Sequence, residues 1–316
     1  MTAPAPVRRR RGARAIGDAP GAPRKSIALV LGGGGARGLA HIAVIEALDD
    51  MGVRPAVIAG TSIGAAIGAA YAAGMSGKAM RRHVIALAHA RGEAWSRLFA
   101  ARATTFSQLF SAGLGNPMVL NAEKLCAAFL PAEVPEDFAA LTIPLIVLAT
   151  DLYGRCEVAF SEGPLKPAIA ASMAVPGLVR PVEIDGRVLV DGGAVDPLPF
   201  AHLKGKADLV VAVDVSGGPK NDRRPIPDPW ECLFATLQVM GHTIVSEKLR
   251  HGGPDLLIQP GISTFRMLDF FQASAILRAA EPVKAEVKAR LGLLLAHAGA
   301  TQSGAVTAHT DQGHPR

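Results

Sequence analysis

Apolar residues along this chain fall into short unbroken runs alternating with longer stretches of helical period. Ser26–Leu31 (SIALVL) is a β-rich run that ends in four glycines. Ala36–Met51 then carries apolar side chains at Leu39, Ile42, Ala43, Val44, Ala47 and Leu48, one face of a helix. The next run, Ala56–Ala59, predicts a strand, and the Ala-rich segment from Ser62 towards Gly74 a helix. The first 75 or so residues therefore read as a β-α-β-α unit, the pattern of a parallel sheet covered by helices.

The alternation continues downstream. Ser76–Phe99 has helical period with Lys78, Arg81, Arg82, Arg91 and Arg97 spread along it, fitting a surface helix with a solvated basic face or an amphipathic helix facing a membrane. Ala100–Leu120 is weakly patterned, with Gly113, Gly115 and Pro117, which suits a connection or a lid over an apolar site. Ile143–Thr150 (IPLIVLAT) predicts a central strand buried on both faces. A helix over Pro164–Met173 precedes a hairpin, Val182–Ile184 and Val188–Val190 about Asp185-Gly186, a pair that accepts positive φ. Asp208–Val215 predicts another buried strand, Ser216–Pro229 a Pro-rich loop, Trp230–Arg250 a helix and Asp255–Gln259 a last strand, with terminal helices ending near Ala298. The resulting division is a disordered basic tail at 1–25, a core at 26–215, a mostly helical C-terminal part of the same domain at 216–298, and a disordered tail at 299–316.

Charge narrows the function classes once it is located. Of 33 basic and 27 acidic residues, segment 1–25 holds Arg8, Arg9, Arg10, Arg11, Arg14, Arg24 and Lys25 against Asp18 alone; the remainder balances. The body has no basic excess for a polyanion, so no nucleic-acid partner is expected. The tail lacks the large apolar side chains that could offset its ordering entropy, and no apolar stretch follows its arginines, so neither a secretory nor a twin-arginine signal is read. Its attraction to anionic headgroups is worth about 1 kcal/mol per basic residue near the surface. Cys126, Cys156 and Cys232 are odd in number and widely spaced, which argues against a disulfide framework or structural zinc and for a reducing, cytoplasmic setting, with contact at the inner membrane surface through the tail. Pro55–Gly77 is uncharged, with Gly60, Gly64 and Gly68 at small-xxx-small spacing, yet its Ala and Gly content offers too little apolar area for a membrane span. The pattern specifies no oligomeric state.

Candidate chemistry centres on Gly60-Thr61-Ser62-Ile63-Gly64, a G-x-S-x-G pentapeptide between a strand and a helix. A serine hydroxyl becomes a nucleophile when a sharp turn projects it and a base takes its proton. Upstream, Gly33, Gly35 and Gly38 match the G-x-G-x-x-G dinucleotide fingerprint, but the second strand ends in Ile58-Ala59-Gly60 without the carboxylate that would hold a ribose. A glycine loop at a helix N-terminus equally forms an oxyanion hole. Gly33, Gly34 and Gly35 are the expected donors, with the Ile63 amide a further one and Arg37 a fixed positive charge; Gly38, Gly60, Gly64, Gly192 and Gly193 are expected to support the turns. Two bases are open. An α/β-hydrolase order leaves His202, His242 or His251 among nine histidines. Alternatively Asp191, at the end of an apolar strand and followed by two glycines, acts as a partly desolvated carboxylate base.

GGGGARG at 32–38, GTSIG at 60–64, ASMAVPGLVRPVEIDGRVLVDGG at 171–193 and DPLP at 196–199 together resemble the ordered motifs of the patatin-like phospholipases, in particular bacterial members allied to the neuropathy target esterase branch. The resemblance spans about Lys25–Val215. It implies a three-layer α/β/α fold with a mainly parallel sheet, a catalytic Ser62–Asp191 dyad, an oxyanion hole on the glycine loop, no metal or cofactor, and lipid acyl esters as substrates cleaved through an acyl-enzyme. A lipid-sensing module without catalysis is the competing reading of the same fold. The family commonly has Asn where this chain has Asp196, which is expected to brace the loop, and Asp151 is expected to satisfy backbone amides at a strand end.

Overall fold

The computed structural model describes residues 25–89, 120–217, 226 and 229–296. The basic tail up to residue 24, the 100–119 connection, most of the Pro-rich loop and the 299–316 tail lie outside the described residues. Strands β1 (Ile27–Leu31), β2 (Val57–Thr61), β3 (Leu145–Asp151), β7 (Leu209–Val213) and β8 (Leu256–Ile258) form the parallel part of an eight-stranded sheet, and β4 (Cys156–Phe160), β5 (Val182–Ile184) and β6 (Arg187–Asp191) its antiparallel part. The order is β5-β6-β3-β2-β1-β7-β8, with β4 on β3. Every β1 residue is buried, and successive residues serve opposite layers. Ile27, Leu29 and Leu31 join the larger core with helices α1 (His41–Asp50), α2 (Ile63–Ala72), α5 (Leu165–Ser172), α7 (Ala273–Ala279) and α8 (Val283–Ala296). Ala28 and Val30 join Phe200, Leu203 and Val245, the last from α6 (Pro229–Arg250). Residues 77–89 form α3, and Ala122–Phe129 form α4 with Asn121 as N-cap, its side chain accepting from the Lys124 amide. The result is the expected α/β/α arrangement with a mainly parallel sheet.

Several departures have local causes. The first helix starts not at Ala36 but as a 3₁₀ turn, Gly35–Ala40, with α geometry only from His41, because the glycine loop is pulled onto the C-terminal part of the chain by the Ala36 amide, which donates to the Met267 carbonyl at 2.7 Å. Strand β4 has no counterpart in the sequence reading; it is a largely exposed edge strand, so its composition carries little apolar signal. The β5–β6 hairpin turns as expected on Asp185 (φ 51°) and Gly186 (φ 73°). Asp151 Oδ1 accepts from the Tyr153 and Gly154 amides, as anticipated for a strand-end carboxylate. Among the described residues, no helix is long and apolar enough to cross a membrane.

Candidate functional site

Ser62 lies between the end of β2 and the first residue of α2, at φ 56° and ψ −124°, a conformation costly for a residue with a Cβ. The flanking glycines serve by close approach rather than by positive φ. A Cβ on Gly64 would collide with the Leu31 and Gly32 carbonyls, and one on Gly60 with the backbone of Gly64 and Ala65. The strained serine is held from beneath: its amide donates to Ser172 Oγ at 2.8 Å, and Ser172 Oγ donates to the Leu148 carbonyl at 2.5 Å.

Sheet topology brings Asp191 to this serine. Strand β2 pairs with β3 as far as Thr61↔Leu148, and antiparallel β6 takes over at Ala149↔Asp191. Since β4 pairs with β3 from Val147 to Asp151, β2 and β6 share the opposite edge of β3 and their ends meet. Ser62 Oγ donates to Asp191 Oδ2 at 2.6 Å, and the Gly193 amide donates to Oδ1 at 2.7 Å. Gly192 must lack a side chain, since a Cβ there would run into the Leu148 carbonyl. Burial pushes the Asp191 carboxyl up to about 6, against the opposing pull of the Ser62 and Gly193 hydrogen bonds.

The histidine alternative finds no support in the geometry. His202 Nε2 sits 3.2 Å from Glu157, the His251 ring donates to the Glu247 carbonyl, and His242 is exposed on α6. A histidine that the motif reasoning passed over does matter locally: His41 is fully buried, and its Nε2–H donates to the Gly32 carbonyl at 2.9 Å, tethering the glycine loop. Burial lowers its pKa to about 4, so the ring is neutral at ordinary pH.

Two expectations for the glycine loop need correction. The Gly33 amide donates to the Pro197 carbonyl at 2.9 Å and is spent on structure. The Arg37 guanidinium is buried and donates to Gln238 on α6 at 2.8 Å, with Asp214 and Asp269 as its nearest charges, so it braces the loop instead of facing Ser62. Among the described residues the amides of Gly34, Gly35 and Ile63 donate to no backbone carbonyl, and Gly35 and Ile63 line the same cavity as Ser62.

Asp196 acts as a brace. Its carbonyl accepts from Thr61 Oγ1 at 2.8 Å, and its buried carboxylate lies 2.6 Å from Lys248 Nζ. Glu157, Asp196 and His202 bring ligand-type atoms within 4.8 Å of one another, but Lys248 already neutralises the buried member of the group. Ser62 opens on an apolar cavity lined in part by Leu125, Phe129, Met173 and Met267. A second, larger apolar cavity adjoins it, and Ile63, Phe129 and Phe270 line both. These walls come from distant parts of the chain that motif reading does not connect to Ser62.

Comparison with known proteins places this geometry in context. The family model described as patatin-like phospholipase matches residues 29–204. The chain is 40% identical over 209 residues to an uncharacterized NTE family protein of Mycobacterium tuberculosis, covering 65% of this chain and 54% of that protein. It is 34% identical over 202 residues to lysophospholipase nte1 of Aspergillus fumigatus, covering 64% of this chain and 12% of that protein. It thus spans about half the length of the mycobacterial relative and a small part of the fungal one. Among solved structures, VipD of Legionella pneumophila superposes with a TM-score of 0.44 at 16% identity, over 84% of this chain and 66% of that one.

Proposed function

Because the chain belongs to the patatin-like phospholipase family, we propose that it is a serine acyl-ester hydrolase acting on phospholipid or lysophospholipid esters through a Ser62–Asp191 dyad. The observation that carries the reading is the 2.6 Å hydrogen bond from Ser62 Oγ to a buried Asp191 carboxylate whose pKa lies near 6. At neutral pH that carboxylate is ionised yet basic enough to take the hydroxyl proton as Oγ attacks. Asp191 then returns the proton to the departing alcohol, leaving the acyl group on Ser62. Water, deprotonated by the same carboxylate, resolves the ester. The tetrahedral oxyanion would be met by the amides of Gly34 and Gly35 on the glycine loop and of Ile63 at the positive end of α2, and each such donor is worth roughly 3 kcal/mol.

The apolar cavity at Ser62 suits an acyl chain, and the arginine-rich N-terminal segment would add attraction to anionic headgroups. Ser62→Ala and Asp191→Asn are each expected to lower esterase kcat by at least about a thousandfold while the fold persists by circular dichroism. Activity near wild type in either variant would remove the dyad. A fluorophosphonate probe separates this reading from a lipid-sensing role: mass spectrometry should find the adduct on Ser62, and an unlabelled Ser62 would favour sensing.

A further inference from the structure

The two apolar cavities share two aromatic rings among their walls. Phe129, at the C-terminal end of α4, and Phe270, from the 3₁₀ turn Phe270–Gln272, stand with centroids 5.3 Å apart and planes 59° to each other. That is ordinary edge-to-face contact, which leaves no room for an alkyl chain between the rings. Both residues, with Ile63, line the Ser62 cavity on one side and the larger cavity on the other. Ile63 belongs to the elbow itself, so the partition is built onto the residue beside the nucleophile.

The larger cavity offers apolar surface and no charged wall. Its lining comes from Leu39, Ile67 and Ala70 on one side and Val84 and Leu87 of α3 on the other. Its one titratable group, His83, is engaged: Nε2–H donates to the Phe129 carbonyl at 3.1 Å, tying α3 to the helix end that carries the ring. A chamber with this lining, adjoining the apolar pocket on which the nucleophile opens, fits a hydrocarbon chain better than any polar ligand.

We propose that the two cavities form one bipartite acyl-chain site in which a short chain fills only the Ser62 side and a long chain displaces the Phe129–Phe270 pair to enter the second chamber. This rests on the hydrolase reading of Ser62, and it assigns selection for chain length to residues of α3, α4 and the Phe270 turn. Each methylene newly removed from water is worth roughly fourfold in affinity or kcat/KM. Closing the second chamber therefore penalises long chains and spares short ones.

The test compares p-nitrophenyl butyrate and palmitate. Val84→Trp and Ala70→Leu, which fill the second chamber from different helices, are each expected to lower the palmitate-to-butyrate ratio of kcat/KM at least about tenfold, the equivalent of just under two methylenes. Phe270→Ala, which removes one leaf of the partition, is expected to raise it. Ratios within twofold of wild type in both filled variants, or no rise in Phe270→Ala, overturn the proposal. Calorimetric titration of free palmitate into Ser62→Ala protein, with and without Val84→Trp, reads the chamber without turnover. At least about tenfold weaker palmitate binding in the double variant supports the chain site, and equal binding removes it. Wild-type protein that hydrolyses neither ester while palmitate binding stays sensitive to Val84→Trp would sink the hydrolase reading and leave the chain site standing.

Discussion

Asp191 carries an energetic conflict in one side chain. As a base it must be charged, and as a buried residue it resists charge; its pKa near 6 is the balance struck between burial and the hydrogen bonds from Ser62 and the Gly193 amide. The rate consequence follows directly. Below about pH 6 the carboxyl holds a proton and cannot accept one from Ser62, so kcat/KM is expected to fall about tenfold per pH unit there and to level off above it. A pH-rate profile on a short-chain ester measures this, and a plateau extending unbroken to pH 4 would exclude Asp191 as the base. The stability consequence has the opposite sense. A folded pKa raised above the unfolded value of 3.8 costs nothing below pH 3.8, builds up between 3.8 and about 6, and is complete above, at roughly 3 kcal/mol. Asp191→Asn should therefore melt higher than wild type at pH 7 to 8, and the gain should vanish near pH 4.

At the scale of elements, the site depends on two strands sharing one edge of a third. Where β2 leaves β3, β6 arrives from the opposite direction, and this handover is what sets Ser62 and Asp191 within hydrogen-bond reach across a sequence separation of 129 positions. The elbow can be that compact only because α2 approaches the end of β1 with no side chain between, at Gly64. Gly64→Ala presses a methyl into backbone carbonyls that cannot move aside, so a loss of about 3 kcal/mol or more, together with most of the activity, is expected. Gly292 provides the contrast: it lies within α8 with open space where a Cβ would go, and Gly292→Ala should stabilise by about 0.5–1 kcal/mol with unaltered kcat. Urea denaturation of the two variants checks both signs.

Across the whole molecule, buried ion pairs tie late elements to early ones. Lys248 of α6 reaches Asp196 beside the elbow, and on the other layer Glu46 of α1 is held by Arg81 of α3 and Lys284 of α8. Burial works against the Glu46 charge, but the two cations outweigh it and hold its pKa below the ordinary value. Removing one member of a buried pair strands the other. Lys248→Met is expected to cost about 3–5 kcal/mol in denaturant unfolding at pH 7, and adding Asp196→Asn to recover most of it, because the neutral amide no longer needs a cation. A double variant no more stable than Lys248→Met alone would show that Lys248 contributes by packing over Phe200 instead.

The residues themselves determine the strands, the glycine loop, the serine elbow and the hairpin ending in Asp191, because each is a local pattern: apolar runs of strand length, glycines where backbones touch, an Asp-Gly pair that accepts positive φ. Taken alone, the residues leave Asp191 and three of the nine histidines open as bases, and it is the family resemblance that implies Asp191. The exposed strand β4 stayed hidden for want of apolar signal, and so did every fact that depends on direction. Whether the Gly33 amide is free or bonded to Pro197, and whether Arg37 points at the serine or at Gln238, depends on which neighbours surround them. The same holds for the chambers lined by Phe129, Met267 and Phe270, since periodicity tells which face of a helix is apolar and only packing decides which apolar faces meet.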